Sequence, residues 1–289
     1  MRRTPALPLL SLLLLALSAP PPAARAEIVD HRAVDGVASL PQEVMDAIGT
    51  QRWLFTHASV GSNMVDGLDD LRALDPLRYR LATSWVGFNS SAQRAADPPA
   101  TTLPGTVYEC PRGNPGWAQK LVIFDNSVRL GGWREPKVEA ALDKLCYIDE
   151  DADAATYLAT MAALRASYPR TYFVYATMPL TDGTGSDSVL RNLYNRAVRA
   201  ASASGAAILF DIADMEAHDP SGVEHTFSSG GQTYQRLYAG YTDDGGHLNA
   251  LGRQRVARGW YAVAAVLTRG PVFADGFEAG GAGFWTTLP

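Results

Sequence analysis

Cysteine is almost missing from this chain: Cys110 and Cys146 are the only two in 289 residues. There is no CxxC and no Cys/His cluster, so a thiolate zinc site is not expected. The two thiols leave open a disulfide or a pair of buried free cysteines. Basic clusters are missing too. With 25 Lys+Arg against 30 Asp+Glu the formal net charge is −5, which disfavours nucleic acid or an anionic membrane as the main partner. Internal repeats are absent, and no long apolar stretch follows the N-terminal segment, so neither a lid of the lipase kind nor a stable membrane anchor is expected.

The N-terminal segment itself reads as a targeting signal. Arg2 and Arg3 form a basic start, residues 9–17 are an apolar run too short to span a bilayer comfortably, and Ala24-Arg25-Ala26 supplies a small-x-small cleavage site. Residues 1–26 are therefore expected to be a signal peptide, and the protein to be exported to the periplasm or beyond. Removing 26 residues from 289 leaves 263, and losing Arg2, Arg3 and Arg25 takes the net charge from −5 to −8. That length suits one domain, residues 27–269, with a sizeable core. The last residues, 270–289, form a Gly-rich tail containing Phe273-Ala274-Asp275-Gly276-Phe277-Glu278.

Between these ends, strand-like and helix-like patterns alternate. Apolar runs at residues 52–56, 79–86, 145–148, 171–177 and 206–212 read as five strands. Helical stripes fall between them: Val60, Met64, Leu68 and Leu71; then Trp117, Leu121, Phe124 and Val128; then residues 154–168; then Leu190, Leu193, Ala197 and Val198. A last helix is expected over 250–268. Residues 87–113 read as an irregular loop. This rhythm predicts an α/β fold, a three-layer α/β/α sandwich around a mostly parallel five-stranded sheet. In such open sheets, sites form at the carboxyl ends of the strands.

Two segments there carry chemistry. Ser59 stands between the first strand and the first helix, where unpaired N–H groups and the helix dipole favour an oxyanion. A helix cap is the competing role for that serine. Asp244-Gly245-Gly246-His247 precedes the last helix. A turn there can set the carboxylate beside one ring nitrogen and leave the other free to take a proton from a serine. Asp211, Asp214 and Glu216 end the fifth strand, but as a charged strand end rather than a metal site. His218 and His225 read as solvated loop residues, and His31 as peripheral.

A serine after the first strand and an Asp-x-x-His before the last helix, together, resemble the SGNH hydrolases, the superfamily that includes the GDSL esterases. The likeness spans roughly residues 51–267, and the run His57-Ala58-Ser59-Val60-Gly61 resembles a divergent branch whose block reads His-x-Ser-Val-Gly. The resemblance implies a Ser59–His247–Asp244 triad and hydrolysis of acyl esters, short-chain or carbohydrate O-acyl, with no cofactor or metal and a small-molecule or polysaccharide substrate. It also implies oxyanion donors beyond the Ser59 N–H, for which Gly61, Gly113 and Asn114 are the candidates; no Gly-x-Asn-Asp follows the third strand. His57 can contact substrate or simply pack at the strand end, and Thr177 can line the pocket. An acyltransferase with the same triad, and a non-catalytic carbohydrate-binding protein on this fold, remain as alternatives.

Overall fold

The segment Arg52–His57 reads Arg-Trp-Leu-Phe-Thr-His, and all but the first residue are buried. A strand covered on both faces needs side chains that pack in both directions, and this one supplies them. Trp53 and Phe55 face one core cluster and Leu54 the other. The computed structural model describes residues 27–205 and 207–268; the expected signal peptide and the tail lie outside the described residues.

In chain order the strands are β1 (Glu27–Val29), β2 (Arg52–His57), β3 (Ala82–Trp85), β4 (Phe88–Asn89), β5 (Arg94–Ala95), β6 (Thr106–Pro111), β7 (Ala140–Asp143), β8 (Tyr172–Ala176), β9 (Ile208–Phe210), β10 (Thr226–Ser229) and β11 (Gln232–Gln235). The helices are α1 (His31–Gly36), α2 (Gln42–Ile48), α3 (Val60–Leu74), α4 (Trp117–Arg129), α5 (Ala154–Ser167), α6 (Ser186–Ser204), α7 (Ile212–Ala217) and α8 (Ala250–Thr268). Seven strands form one sheet in the order β1-β9-β8-β7-β2-β6-β3, and every neighbouring pair is parallel. β4 with β5 and β10 with β11 make separate two-stranded hairpins.

Helices cover both faces. Residues of α1, α2, α3, α7 and α8 join Trp53, Phe55, Leu142 and Val174 in one cluster. Residues of α4, α5 and α6 join Leu54, Ala141, Phe173 and Leu209 in the other. This is the expected α/β class with seven strands in place of five. Two further strands, β1 and β6, make the difference. β1 is only three residues long. β6 lies inside the stretch that reads as irregular loop, because a buried Glu109 and a terminal Pro111 break its apolar pattern. The third strand is Ala140–Asp143, not residues 145–148: the central strand carries small side chains under two helix layers, and the more apolar run after it is a loop.

The packing of α3 on α8 brings the two chemical segments together, because Ser59 precedes α3 and His247 precedes α8. Val60, Met64, Leu68 and Leu71 are fully buried on α3, each contributing about 1.5–3 kcal/mol relative to exposure. Gly67 allows the closest approach: a Cβ there would stand 2.3 Å from the Arg253 carbonyl oxygen. Arg253 is also held to Asp70 by two hydrogen bonds of 2.7 and 3.0 Å. Two helices from opposite ends of the domain are thus locked side by side on one face of the sheet.

Candidate active site

Ser59 is the N-cap residue of α3, yet its side chain makes no capping bond. Its backbone sits at φ 56°, ψ −118°, a left-handed conformation that a serine adopts only at a cost of about 1–3 kcal/mol. A sharp strand-to-helix turn of this kind lifts the side chain out of the sheet edge. The hydroxyl then meets His247: Ser59 Oγ lies 2.6 Å from Nε2. On the other side of the ring, Nδ1 is 2.7 Å from Asp244 Oδ2. The three residues expected to act together therefore form one continuous hydrogen-bonded chain.

The turn 242–247 holds Asp244 in place. Asp244 Oδ1 accepts from the N–H of Gly246 at 3.0 Å and of His247 at 2.8 Å. The His247 ring bond and these two N–H groups hold the carboxyl below the usual carboxylate range, so it is ionised and acceptor-only. Gly245, at φ +88°, makes the turn possible. Asn63 of α3 accepts from the Leu248 N–H at 3.0 Å, which pins the end of this turn to the helix that carries Ser59. The His247 and Asp244 side chains are 43% and 57% exposed, so the site is open to water.

Below the serine lies a buried ionic layer. Lys144 Nζ donates to the Ala58 carbonyl at 3.0 Å, and burial pushes its pKa down. Arg112 donates to Asp143 at 2.9 Å through Nε and to the Lys144 carbonyl at 2.9 Å through Nη2. Asp143 Oδ1 also accepts from Thr56 Oγ1 at 2.5 Å. The ends of β2, β6 and β7 are cross-braced beneath residues 57–59 by buried polar side chains, and rigid support of this sort keeps the Ser59 side chain in place.

His57 belongs to that support and not to the open site. Its Nε2 is 2.8 Å from Glu109 Oε2, its ring stacks on Phe55 with centroids 4.6 Å apart, and burial lowers its pKa. A Cβ on Gly61 would stand 2.4 Å from His57 Cβ, so only glycine lets α3 start this close to β2. Gly61 is expected from sequence among the oxyanion donors; instead its N–H closes onto the Ala58 carbonyl at 3.0 Å. The Ser59 N–H has no acceptor among the described residues.

Gly113 and Asn114 lie in the exposed loop after β6, with Gly113 at φ +75°. Cys146 Sγ stands 3.1 Å from Asn114 Oδ1 and 3.4 Å from the Ala58 carbonyl. One sulfur thus bridges the Asn114 loop to the residue before Ser59, with the Asn114 amide NH2 unpaired among the described residues. Cys110 and Cys146 are both free and buried, which resolves the disulfide question in favour of thiols; burial pushes the Cys110 thiol up to about 12. Thr177 corrects another expectation. It is fully buried, donates to Asp211 Oδ1 at 3.1 Å and accepts from the Ala213 N–H at 2.9 Å, so it ties β8 to α7 rather than lining a pocket.

Tyr147 is the residue that sequence reasoning misses, because it falls in an apolar run that reads as strand. Its hydroxyl is 3.4 Å from His247 Nε2 and 3.5 Å from Nδ1. Burial pushes its pKa up. Tyr147 forms one wall of a cleft of about 400 Å³ that continues past Glu150, Thr181, Asp187, Ser188 and Arg191.

No family model matches the chain, and no curated protein matches it. Among solved structures it is similar to a GDSL-like lipase from Bacteroides thetaiotaomicron, at 10% identity and a TM-score of 0.43, over 83% of this chain and 96% of that one. It is also similar to an α/β hydrolase enzyme from the metagenome of Lake Arreo, Spain, at 13% identity and a TM-score of 0.46, over 75% and 96%.

Proposed function

We propose that the chain is an exported serine esterase that cleaves acyl esters through Ser59, His247 and Asp244. The observation that carries this reading is the 2.6 Å contact from Ser59 Oγ to His247 Nε2, made by a serine that does not cap its helix. Asp244 accepts a hydrogen bond from Nδ1–H and so fixes the tautomer with a free lone pair on Nε2. His247 takes the Ser59 proton as Oγ attacks the ester carbonyl, and the carbonyl π electrons move onto oxygen. The Ser59 N–H and the Asn114 amide are the donors for that oxyanion, with the positive end of the α3 dipole beside them. His247 then gives the proton to the departing alcohol. Water, deprotonated by His247, attacks the acyl-enzyme, and the acid leaves as Ser59 regains its proton.

The substrate class follows from the surroundings. The site is open, and the adjoining cleft is walled mainly by Thr181, Ser188, Glu150, Asp187 and Arg191, with Ile148 the one aliphatic side chain among the residues that line it. Such a wall suits a polyol alcohol and a short acyl group better than a long chain. A purely binding role leaves the strained backbone of Ser59 without a cause. In the test, Ser59→Ala, checked for folding by circular dichroism, is compared with the parent on p-nitrophenyl acetate and on acetylated sugars. Turnover falls to the buffer background; turnover retained in the variant refutes the assignment.

A further inference from the structure

Away from Ser59, the ends of β1 and β9 emerge side by side, since Val29 pairs with Phe210. The chain after β1 supplies His31 and the chain after β9 supplies Asp214 and His218. Asp214 Oδ2 lies 2.5 Å from His31 Nδ1 and 2.9 Å from the His31 N–H. Asp214 Oδ1 lies 3.4 Å from His218 Nδ1 and accepts from Gln235 Nε2 at 3.2 Å. The two imidazoles stack with centroids 3.5 Å apart and planes 14° off parallel. His218 Nδ1 also reaches the Asp214 main-chain oxygen at 2.8 Å. Expected from sequence to be peripheral and solvated, these histidines instead form a half-buried pair on a single carboxylate, with side chains 19% and 10% exposed.

We propose that His31, Asp214 and His218 form a site for a divalent transition ion of the zinc class. One donor atom from each lies within 4.8 Å of the others. Two imidazoles and one carboxylate suit zinc, cobalt or nickel, whereas calcium and magnesium require mostly oxygen ligands. The stacked rings bring nitrogen donors from two imidazoles to one carboxylate, an arrangement in which a single cation can accept a lone pair from each. The ion displaces the proton shared between His31 and Asp214, which leaves to solvent. Gln235 steadies the carboxylate from behind. Partial exposure leaves room for water on the ion.

The role is a brace. The ion joins the β1–α1 segment to α7. The His218 carbonyl accepts from Tyr241 Oη at 3.0 Å, and Tyr241 leads directly into the turn that holds Asp244 and His247. The site is separate from Ser59, and its failure leaves the esterase reading untouched.

The test uses untagged protein of residues 27–289, stripped with chelator and titrated calorimetrically with Zn²⁺ alone. One equivalent binds, and a hundredfold excess over the dissociation constant raises the melting temperature by about 5–10 °C. His31→Ala and His218→Ala weaken binding by about tenfold or more, while His247→Ala, which removes the most exposed imidazole elsewhere, retains it. Crystals soaked in Zn²⁺ give an anomalous peak about 2.0–2.2 Å from all three side chains. Absence of saturable binding, equal binding in both histidine variants, or a peak elsewhere overturns the proposal. If a variant does not fold, the anomalous map of the parent protein decides.

Discussion

Replacing Asp244 separates two ways in which it can matter. Asp244 Oδ1 faces two N–H donors, from Gly246 and His247, while Oδ2 faces His247 Nδ1. In Asp244→Asn the amide oxygen is compelled to remain opposite the two donors, because the reversed amide loses both bonds and sets N–H against N–H. The NH2 then occupies the Oδ2 position, 2.7 Å from Nδ1, and donates to it. The imidazole must carry its proton on Nε2, pointing at Ser59, and cannot act as base. A wrong tautomer of this kind lowers kcat by about 10⁴-fold. Asp244→Ala removes orientation but imposes no tautomer. Because the carboxylate is 57% exposed, water can take its place beside Nδ1, and the loss is smaller than for asparagine. Steady-state kinetics on p-nitrophenyl acetate, with KM nearly constant, give the order parent, alanine, asparagine. An asparagine variant as active as the alanine variant, or more so, refutes the tautomer argument.

The surroundings of the triad give two further outcomes. Asn114→Ala removes an amide held beside Ala58 by Cys146, and kcat falls about 10²–10³-fold with little change in KM; an unchanged kcat removes Asn114 from the oxyanion site. Glu216 is raised to about 8 by burial, which the Leu180 N–H and Lys144 only partly offset. Its folded pKa exceeds the unfolded value of about 4.3, so the stability it contributes is complete at acid pH and is lost as pH rises through 8. Glu216→Gln, neutral throughout, therefore gains on the parent protein in melting temperature between pH 5 and 9, and a gap independent of pH contradicts this.

The legible parts of the molecule are those with a period or a motif. β2, α3 and α8 carry uninterrupted apolar patterns, and the Asp-x-x-His spacing marks a turn, so their order along the chain is visible in the sequence. What joins them is not. Gly67 and Gly61 act by what they lack, and a missing Cβ has no sequence signature until a neighbour is known. β6 is hidden because Glu109 is buried against His57, a pairing between strands that no local pattern encodes. β7 is hidden because the middle of a doubly covered sheet favours small residues, while the more apolar loop after it looks like the strand. Tyr147, His31 and His218 escape sequence reasoning for the same reason: each gains meaning from a partner at least 100 residues away.

The central claim is that the Ser59 hydroxyl is activated by His247. Labelling with a fluorophosphonate, followed by mass spectrometry of the digested protein, reads this directly. The account predicts one adduct per chain, located on Ser59, formed by the parent protein and lost in a folded His247→Ala variant. An unlabelled Ser59 in the parent protein, or equal labelling without His247, contradicts it.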